Sequence, residues 1–414
     1  MRPCFCLPPH SRTFLLSAFC SLLCLVSPAR AQVTGLGAIG DSLTDEYAEE
    51  TYGSYARNWT MQLVQFRAFN MGPTAAAAAQ SGNTWGEPRR TGYKYNWARY
   101  GADSSSALSD GQHTGLASQV TSGLVSHTVL AIGTNDFSPS TGTFFFIYWG
   151  LWSQSQIDSY VNGQIADIAA AVQTLDAAHA NILLCNYVDF SVAPVTRGIY
   201  TNATRRNRVT AAVTRVNQGI AAIARQHNCM LVDLNALGTA ILGTNTALNQ
   251  FLNIGGVQIQ LFNRDTTTHT NPLAGFVDDG AHPHTSLQGI FANTMMTALN
   301  VGWHTSYVPF TEQEILAHAG LAYVGPDALP AQLGPLNRFL RNFRCPADVT
   351  TLGGTAGPDG GVTVDDLVGF LQAFFAGSLA IADIASPGGT PAPDNQITVD
   401  DLVVYLAAFF TGCT

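Results

Sequence analysis

The chain has 414 residues, 46% of them hydrophobic, and a formal charge of −9, enough to bury the core of one large domain and a small one. Arg2, Arg12 and Arg30 fall within the first 31 positions, so the remainder is more acidic still; this excludes nucleic acid and anionic membrane surfaces as expected partners. Beyond the N-terminus no apolar run reaches a membrane span, because Phe144 to Trp152 is too short and Leu367 to Ala382 is broken by Gly377-Ser378.

In chain order, residues 1–31 read as an export signal. Arg2 and Arg12 precede the apolar stretch Phe14 to Val26, and Ala29-Arg30-Ala31 places small residues at both recognition positions of a cleavage site. Neither Cys20 nor Cys24 follows the small residues that a lipoprotein site needs, so simple export to the outside or the cell surface is expected. Export removes Cys4, Cys6, Cys20 and Cys24 and leaves Cys185, Cys229, Cys345 and Cys413 in an oxidising compartment. Cys345 and Cys413 bracket the C-terminal module, which points to a bridge clasping its ends. For Cys185 and Cys229, both in predicted strands, a bridge and two buried thiols are equally open.

From residue 32 to about 304, apolar runs at Val33 to Ile39, Thr128 to Ile132, Asn181 to Val188 and Cys229 to Leu234 alternate with helical patterns at Ile157 to Ala180 and Asn202 to Asn228. Such alternation predicts an α/β fold with a parallel sheet covered on both faces, a flavodoxin-like three-layer sandwich whose active site lies beyond the carboxyl ends of the strands. Two segments exceed ordinary connections. Ser138 to Gln156 concentrates Phe144, Phe145, Phe146, Tyr148, Trp149 and Trp152, either as a satellite core or as a wall facing an acyl or aromatic group. The other is an insertion from Gly238 to Gly275.

Residues 305–344, rich in proline and glycine around the amphipathic piece Glu312 to His318, read as a partly ordered linker. Residues 345–414 then carry eight aspartates, no glutamate and no basic residue.

Four separated segments carry the chemistry. Gly40-Asp41-Ser42-Leu43 puts a serine where the first strand is expected to hand over to a helix; alone it is weak, since a Gly-Asp-Ser triplet arises by chance in roughly one such chain in ten. Asn96-Trp97-Ala98-Arg99-Tyr100-Gly101, Gly133-Thr134-Asn135-Asp136 and Asp279-Gly280-Ala281-His282-Pro283 supply what a serine nucleophile lacks: oxyanion donors, a base and a group to orient it. In this order the four resemble the blocks of the SGNH (GDSL) hydrolase family, over about Val33 to Trp303. The resemblance implies Ser42 as nucleophile, His282 as base, Asp279 as its orienter, and an oxyanion hole from the N–H groups of Ser42 and Gly101 and the Asn135 amide. It implies a carboxylic ester hydrolase with no cofactor for catalysis, acting on a small-molecule, lipid or acylated-carbohydrate ester. The D-G-x-H-P frame favours Asp279 and His282 over the adjacent Asp278 and His284, and Asp41 and Asp136 are expected to be structural. An inert extracellular scaffold is the rival from another class.

The acidic C-terminus is a duplication with a period of 35: Asp348, Asp359, Asp365 and Asp366 recur as Asp383, Asp394, Asp400 and Asp401. Asp359-Gly360, apolar Val362 and Asp366 fit the second half of a calcium loop closing onto a helix. These units resemble a dockerin-like attachment module, which implies calcium ligands at Asp348, Asp359, Asp366, Asp383, Asp394 and Asp401 and a protein or cell-surface partner. Asp348 and Asp359 stand eleven apart instead of four, an insertion of seven that Asp383 and Asp394 repeat. A helical repeat held by its apolar faces is the alternative.

Overall fold

The computed structural model of the protein describes residues 33–86, 90–265, 269–390 and 396–412; the expected export signal, Asp394 and Cys413 lie outside them. Four strands, β1 (Leu36–Gly40), β2 (His127–Ala131), β3 (Asn181–Cys185) and β4 (Met230–Val232), pair in parallel in that order. Successive side chains of a strand face opposite ways, and here they feed two separate cores. Leu36, Ala38, Val129, Leu183, Cys185, Met230 and Val232 join Trp59, Leu63, Leu237, Ile290, Met295 and Leu299. Ile39, Leu130, Ile182, Leu184 and Leu231 join Leu116, Ile168, Val172, Val213 and Ile220. The first core lies under the helices Trp59–Arg67, Leu234–Leu242 and Thr285–Trp303, the second under Gln112–Thr121, Gln154–Ala177 and Ala203–Gln226. Three layers result, as expected for strands buried on both faces.

At the outer edge of β1 the next strand of a flavodoxin-like order is reduced to single contacts. Leu36 donates its N–H to Asn70 and Ala38 to Tyr95, while Trp97 donates back to Ala38; only Ala38 and Asn96 form a parallel bridge.

The insertion builds its own small sheet: β5 (Phe251–Ile254) and β6 (Val257–Arg264) are antiparallel across Gly255-Gly256, and β7 (Ala274–Phe276) lies parallel to β6. β7 feeds directly into the Asp279 to His282 turn.

The stretch expected to be a linker, residues 305–344, is instead part of the hydrolase core. Glu312–His318 and Leu329–Leu333 are helical, and β8 (Leu340–Asn342) pairs antiparallel with β4, which makes the sheet mixed. Phe310, Ile315, Leu316, Leu333, Phe339 and Leu340 are all buried in the first core. Glu312, buried at its start, accepts the N–H groups of Ala328, Leu329 and Gly255. Apolar burial and a closed set of backbone partners outweigh the loop-like composition.

The aromatic run divides along one helix, Gly142–Trp149. Phe144, Ile147 and Tyr148 sink into the second core beside Tyr200, whereas Phe145, Phe146 and Trp149 face outward, Trp149 under the Arg205 guanidinium at 4.2 Å. Cys185 and Cys229 are free, buried thiols; burial pushes the Cys229 thiol up to about 12. Among the described residues no helix is long and apolar enough to cross a membrane.

Candidate active site

β1 ends at Gly40 and the chain reverses at once. The N–H groups of Thr44 and Asp45 donate to the Asp41 carbonyl at 3.0 and 2.9 Å, and Leu43 N–H donates to the Asp41 carboxylate at 3.0 Å. Ser42, 7% exposed, is left at the carboxyl end of the parallel sheet.

The partners of Ser42 come from the far end of the domain. After β7 the chain folds into a tight turn: Val277 N–H donates to the His282 carbonyl at 2.9 Å, Gly280 N–H to the Val277 carbonyl at 3.0 Å, and Phe276 pairs with Pro283. Gly280 sits at φ +70, a left-handed conformation that glycine adopts freely. Asp279 Oδ1 accepts the N–H groups of Ala281 (2.7 Å) and His282 (3.0 Å), while its Oδ2 lies 2.5 Å from His282 Nδ1. His282 Nε2 lies 2.6 Å from Ser42 Oγ. Burial alone would raise the Asp279 carboxyl, but the hydrogen bonds from His282 and the two backbone amides outweigh it and hold it below the usual value. Serine, imidazole and carboxylate therefore stand in one hydrogen-bonded row.

His284, the competing histidine, faces elsewhere. Its Nδ1 accepts Thr285 N–H at 2.9 Å at the start of the helix Thr285–Trp303, and its Nε2 lies 3.5 Å from Asp265. Asp278 N–H donates to the Tyr55 hydroxyl at 3.4 Å.

The segments that carry the expected oxyanion donors are tied to this turn. Arg99 N–H donates to Gly40, Tyr100 N–H donates to the Asp45 carboxylate, and Ser104 binds the Asp136 carboxylate through its N–H and hydroxyl. The N–H groups of Ser42 and Gly101 meet no acceptor among the described residues. Asn135 follows Gly133, whose φ of +109 and contact with the Tyr187 ring leave no room for a Cβ; one N–H of the Asn135 amide donates to Ala102 at 2.9 Å, leaving its second. Asp41 and Asp136 hold these loops, and burial pushes them up to about 6 and about 7.

Three tyrosines that sequence reasoning passed over enclose the imidazole. Tyr52 and Tyr100 stack on His282 at 5.1 and 5.8 Å, and Tyr47 meets it edge-on at 6.0 Å. Tyr47 donates to the Pro283 carbonyl and accepts from Gln288, which holds its ring against the imidazole. Their nearness in sequence to Ser42 and Gly101 was the one available signal. Beside Leu43, Ala281 and Pro283 opens an apolar pocket whose walls include Val188, Phe276 and Phe291. By the measure in which one water takes roughly 10–15 Å³, it holds about 40 Å³. The outward aromatic residues of Gly142–Trp149 do not line it.

A serine at the end of a parallel strand, hydrogen-bonded to an imidazole and a carboxylate on a late loop, is the arrangement of a serine hydrolase on an α/β fold. Residues 38–284, more than half of the chain, match the GDSL-like Lipase/Acylhydrolase family; the chain belongs to that family and is an ester-bond hydrolase. No curated protein matches it. Similar solved structures include the psychrotrophic esterase EstA from Pseudoalteromonas sp., at 14% identity and a TM-score of 0.33, over 64% of this chain and 97% of that one. A GDSL-like lipase from Bacteroides thetaiotaomicron has 13% identity and a TM-score of 0.34, over 64% and 88%. A catalytic mutant of Axe2, an acetylxylan esterase from Geobacillus stearothermophilus, has 15% identity and a TM-score of 0.36, over 66% and 96%.

In the C-terminal repeat Asp348, Asp359, Asp366 and Asp401 serve the backbone. Asp366 accepts the N–H groups of Val349, Thr350 and Thr363, and Asp401 those of Ile384, Ala385 and Thr398. Asp348 accepts from Asp359 and Gly360, and Asp359 from Leu352 and Gly361. Each unit thus closes on a capping box, at Thr363 and Thr398, with Phe370 stacked on Tyr405 at 3.7 Å between them. Asp348, Asp359 and Asp366 do not converge as a cation cage: among the described residues the three-acid group with oxygens close enough to share an ion is Asp45, Glu46 and Glu49. Those oxygens accept the N–H groups of Tyr100, Tyr93, Thr91 and Gly92.

Proposed function

We propose that this hydrolase is an exported serine esterase acting through an acyl-enzyme on Ser42. The reading rests on the row Ser42–His282–Asp279. His282 Nε2 takes the Ser42 proton as Oγ attacks the ester carbonyl, and Asp279 holds the Nδ1–H tautomer and stabilises the imidazolium. The developing oxyanion is received by the Ser42 and Gly101 N–H groups and the free amide hydrogen of Asn135. Collapse expels the alcohol, which leaves with the proton from His282, and water repeats the sequence to free the acid. Ser42→Ala is expected to lower p-nitrophenyl acetate hydrolysis by about 10⁴-fold or more with an unchanged circular dichroism spectrum. Retained turnover would refute Ser42 as nucleophile, and failure of a fluorophosphonate probe to label the wild type would favour the scaffold reading for this chain.

The apolar pocket beside Leu43 supports a short acyl group, since its volume accommodates only a few heavy atoms. A carbohydrate acetylesterase is the more specific reading: Tyr100, 52% exposed and stacked over His282, offers a face to a sugar ring on the alcohol side. Rates from acetyl to palmitoyl esters, alongside acetylated xylan, test both; a palmitoyl optimum would reject them. Export is proposed from residues 1–31, and attachment to a protein or cell-surface partner from the C-terminal repeat, clasped by a bridge between Cys345 and Cys413. Calcium is proposed there from spacing alone. It requires the aspartates to exchange amide donors for the ion, and calorimetric titration that releases no heat would remove it.

A further inference from the structure

We infer a second binding site, for an anionic amphiphile, in the seam between the hydrolase domain and the C-terminal repeat. A cavity of about 760 Å³ opens there, within the roughly 300–1,000 Å³ of small-molecule sites and at the kind of junction where they occur. One wall is the end of the helix Ala203–Gln226 with Arg341 and Phe343 next to β4; the other is Val349, Ile384 and Val404 of the repeat. The site is remote from catalysis. The helix runs into the start of β4, whereas Ser42 follows the end of β1, and the two strands are parallel.

Three arginines line this cavity in a chain of net negative charge: Arg225, Arg338 and Arg341. Arg338 and Arg341 donate only to backbone carbonyls, of Leu333 and of Arg338 and Leu340. The Arg225 side chain makes no hydrogen bond or ion pair among the described residues; its Nε is shielded from water and its guanidinium rests 4.9 Å over the Phe343 ring. Leaving such a donor buried and unmatched is costly, and a guanidinium fork matches a carboxylate or a phosphate. The acids nearby are already engaged: Asp348, in the lining, is turned to the amides of Asp359 and Gly360, and Asp401, which with Asp383 acts on the Arg225 charge without pairing with it, accepts the amides of Ile384, Ala385 and Thr398. Apolar walls with an unpaired fork at one end call for a ligand with an apolar body and an anionic head, of the kind that ester hydrolysis releases.

Calorimetry on the full chain with decanoate and with decanamide, its neutral counterpart, tests the assignment. Decanoate is expected to bind about tenfold or more tightly than decanamide, the scale of a hydrogen bond to a charged group. Arg225→Gln is expected to abolish that preference without moving the thermal midpoint, and exposed Arg338→Gln to reduce it. Equal affinity for the two probes would overturn the site, as would decanoate binding unmoved by Arg225→Gln, which would place it elsewhere on the protein.

Discussion

Asp279 is bonded on both sides, and this makes its substitution diagnostic. Its Oδ1 takes two backbone N–H groups while its Oδ2 faces His282 Nδ1. In Asp279→Asn the carbonyl oxygen keeps the amide contacts, so the NH₂ turns to Nδ1 and forces the proton onto Nε2, which then donates to Ser42 instead of accepting. The expected result is a fall in kcat of about 10⁴-fold with an unchanged unfolding midpoint. Asn135→Ala removes one proposed oxyanion donor and is expected to lower kcat by about 10²- to 10³-fold with little change in KM, as steady-state kinetics would show. That Ser42, Asp279 and His282 come together was legible because each sits in a short motif of distinctive type. Tyr47, Tyr52 and Tyr100 were not, since stacking on His282 brings residues more than 180 positions apart together, and no local pattern encodes that.

Among elements, residues 305–344 were misread for a definable reason. Their buried residues, Phe310, Ile315, Leu316, Leu333, Phe339 and Leu340, come singly or in pairs between Pro and Gly, so no periodicity spans the stretch. The exception, Glu312–His318, is the one amphipathic turn the sequence predicts, and it is helical over those residues. A three-residue strand such as β8 has too few side chains to show alternation; it exists because the β4 edge offers it partners. Phe339→Ala, in a fully enclosed site, is expected to cost about 3–5 kcal/mol in urea unfolding of the whole hydrolase. A flexible linker would give no such change. The repeat aspartates belong to the same scale. Their register was plain in sequence, but that Asp366 and Asp401 each span two loop segments through backbone amides depends on how the inserted residues fold back.

Across the molecule, buried acids set a pH response. Burial and the Glu49 carboxylate push Asp45 up to about 7, burial and the Asp45 carboxylate push Glu46 to about 8, and burial raises Asp136 to about 7. A carboxyl whose pKa is higher folded than unfolded holds its proton in the native state while the unfolded chain has already lost it, so stability declines as pH rises up to the folded value. His127 and His318, lowered to about 4 chiefly by burial, act oppositely, but only below about 6.5, where their unfolded forms take up protons. The clean window is thus pH 6.5 to 8.5, over which the thermal midpoint is expected to fall; a rise there would contradict the burial of these three acids.

The family, the parallel α/β core and the four segments that meet around Ser42 could be read from residue order, because strand burial on two faces and the chemistry of ester cleavage both demand particular residue types at short range. So could the duplicated acidic repeat, whose register is a property of spacing alone. Tertiary structure alone decided that Cys185 and Cys229 are free thiols, that the expected linker closes the sheet, and that the aromatic run divides between core and surface. It likewise decided which rings enclose His282 and that three arginines share one seam. Each of these depends on which surfaces meet across long stretches of chain, and burial and hydrogen-bond satisfaction settle that only once the whole molecule has packed.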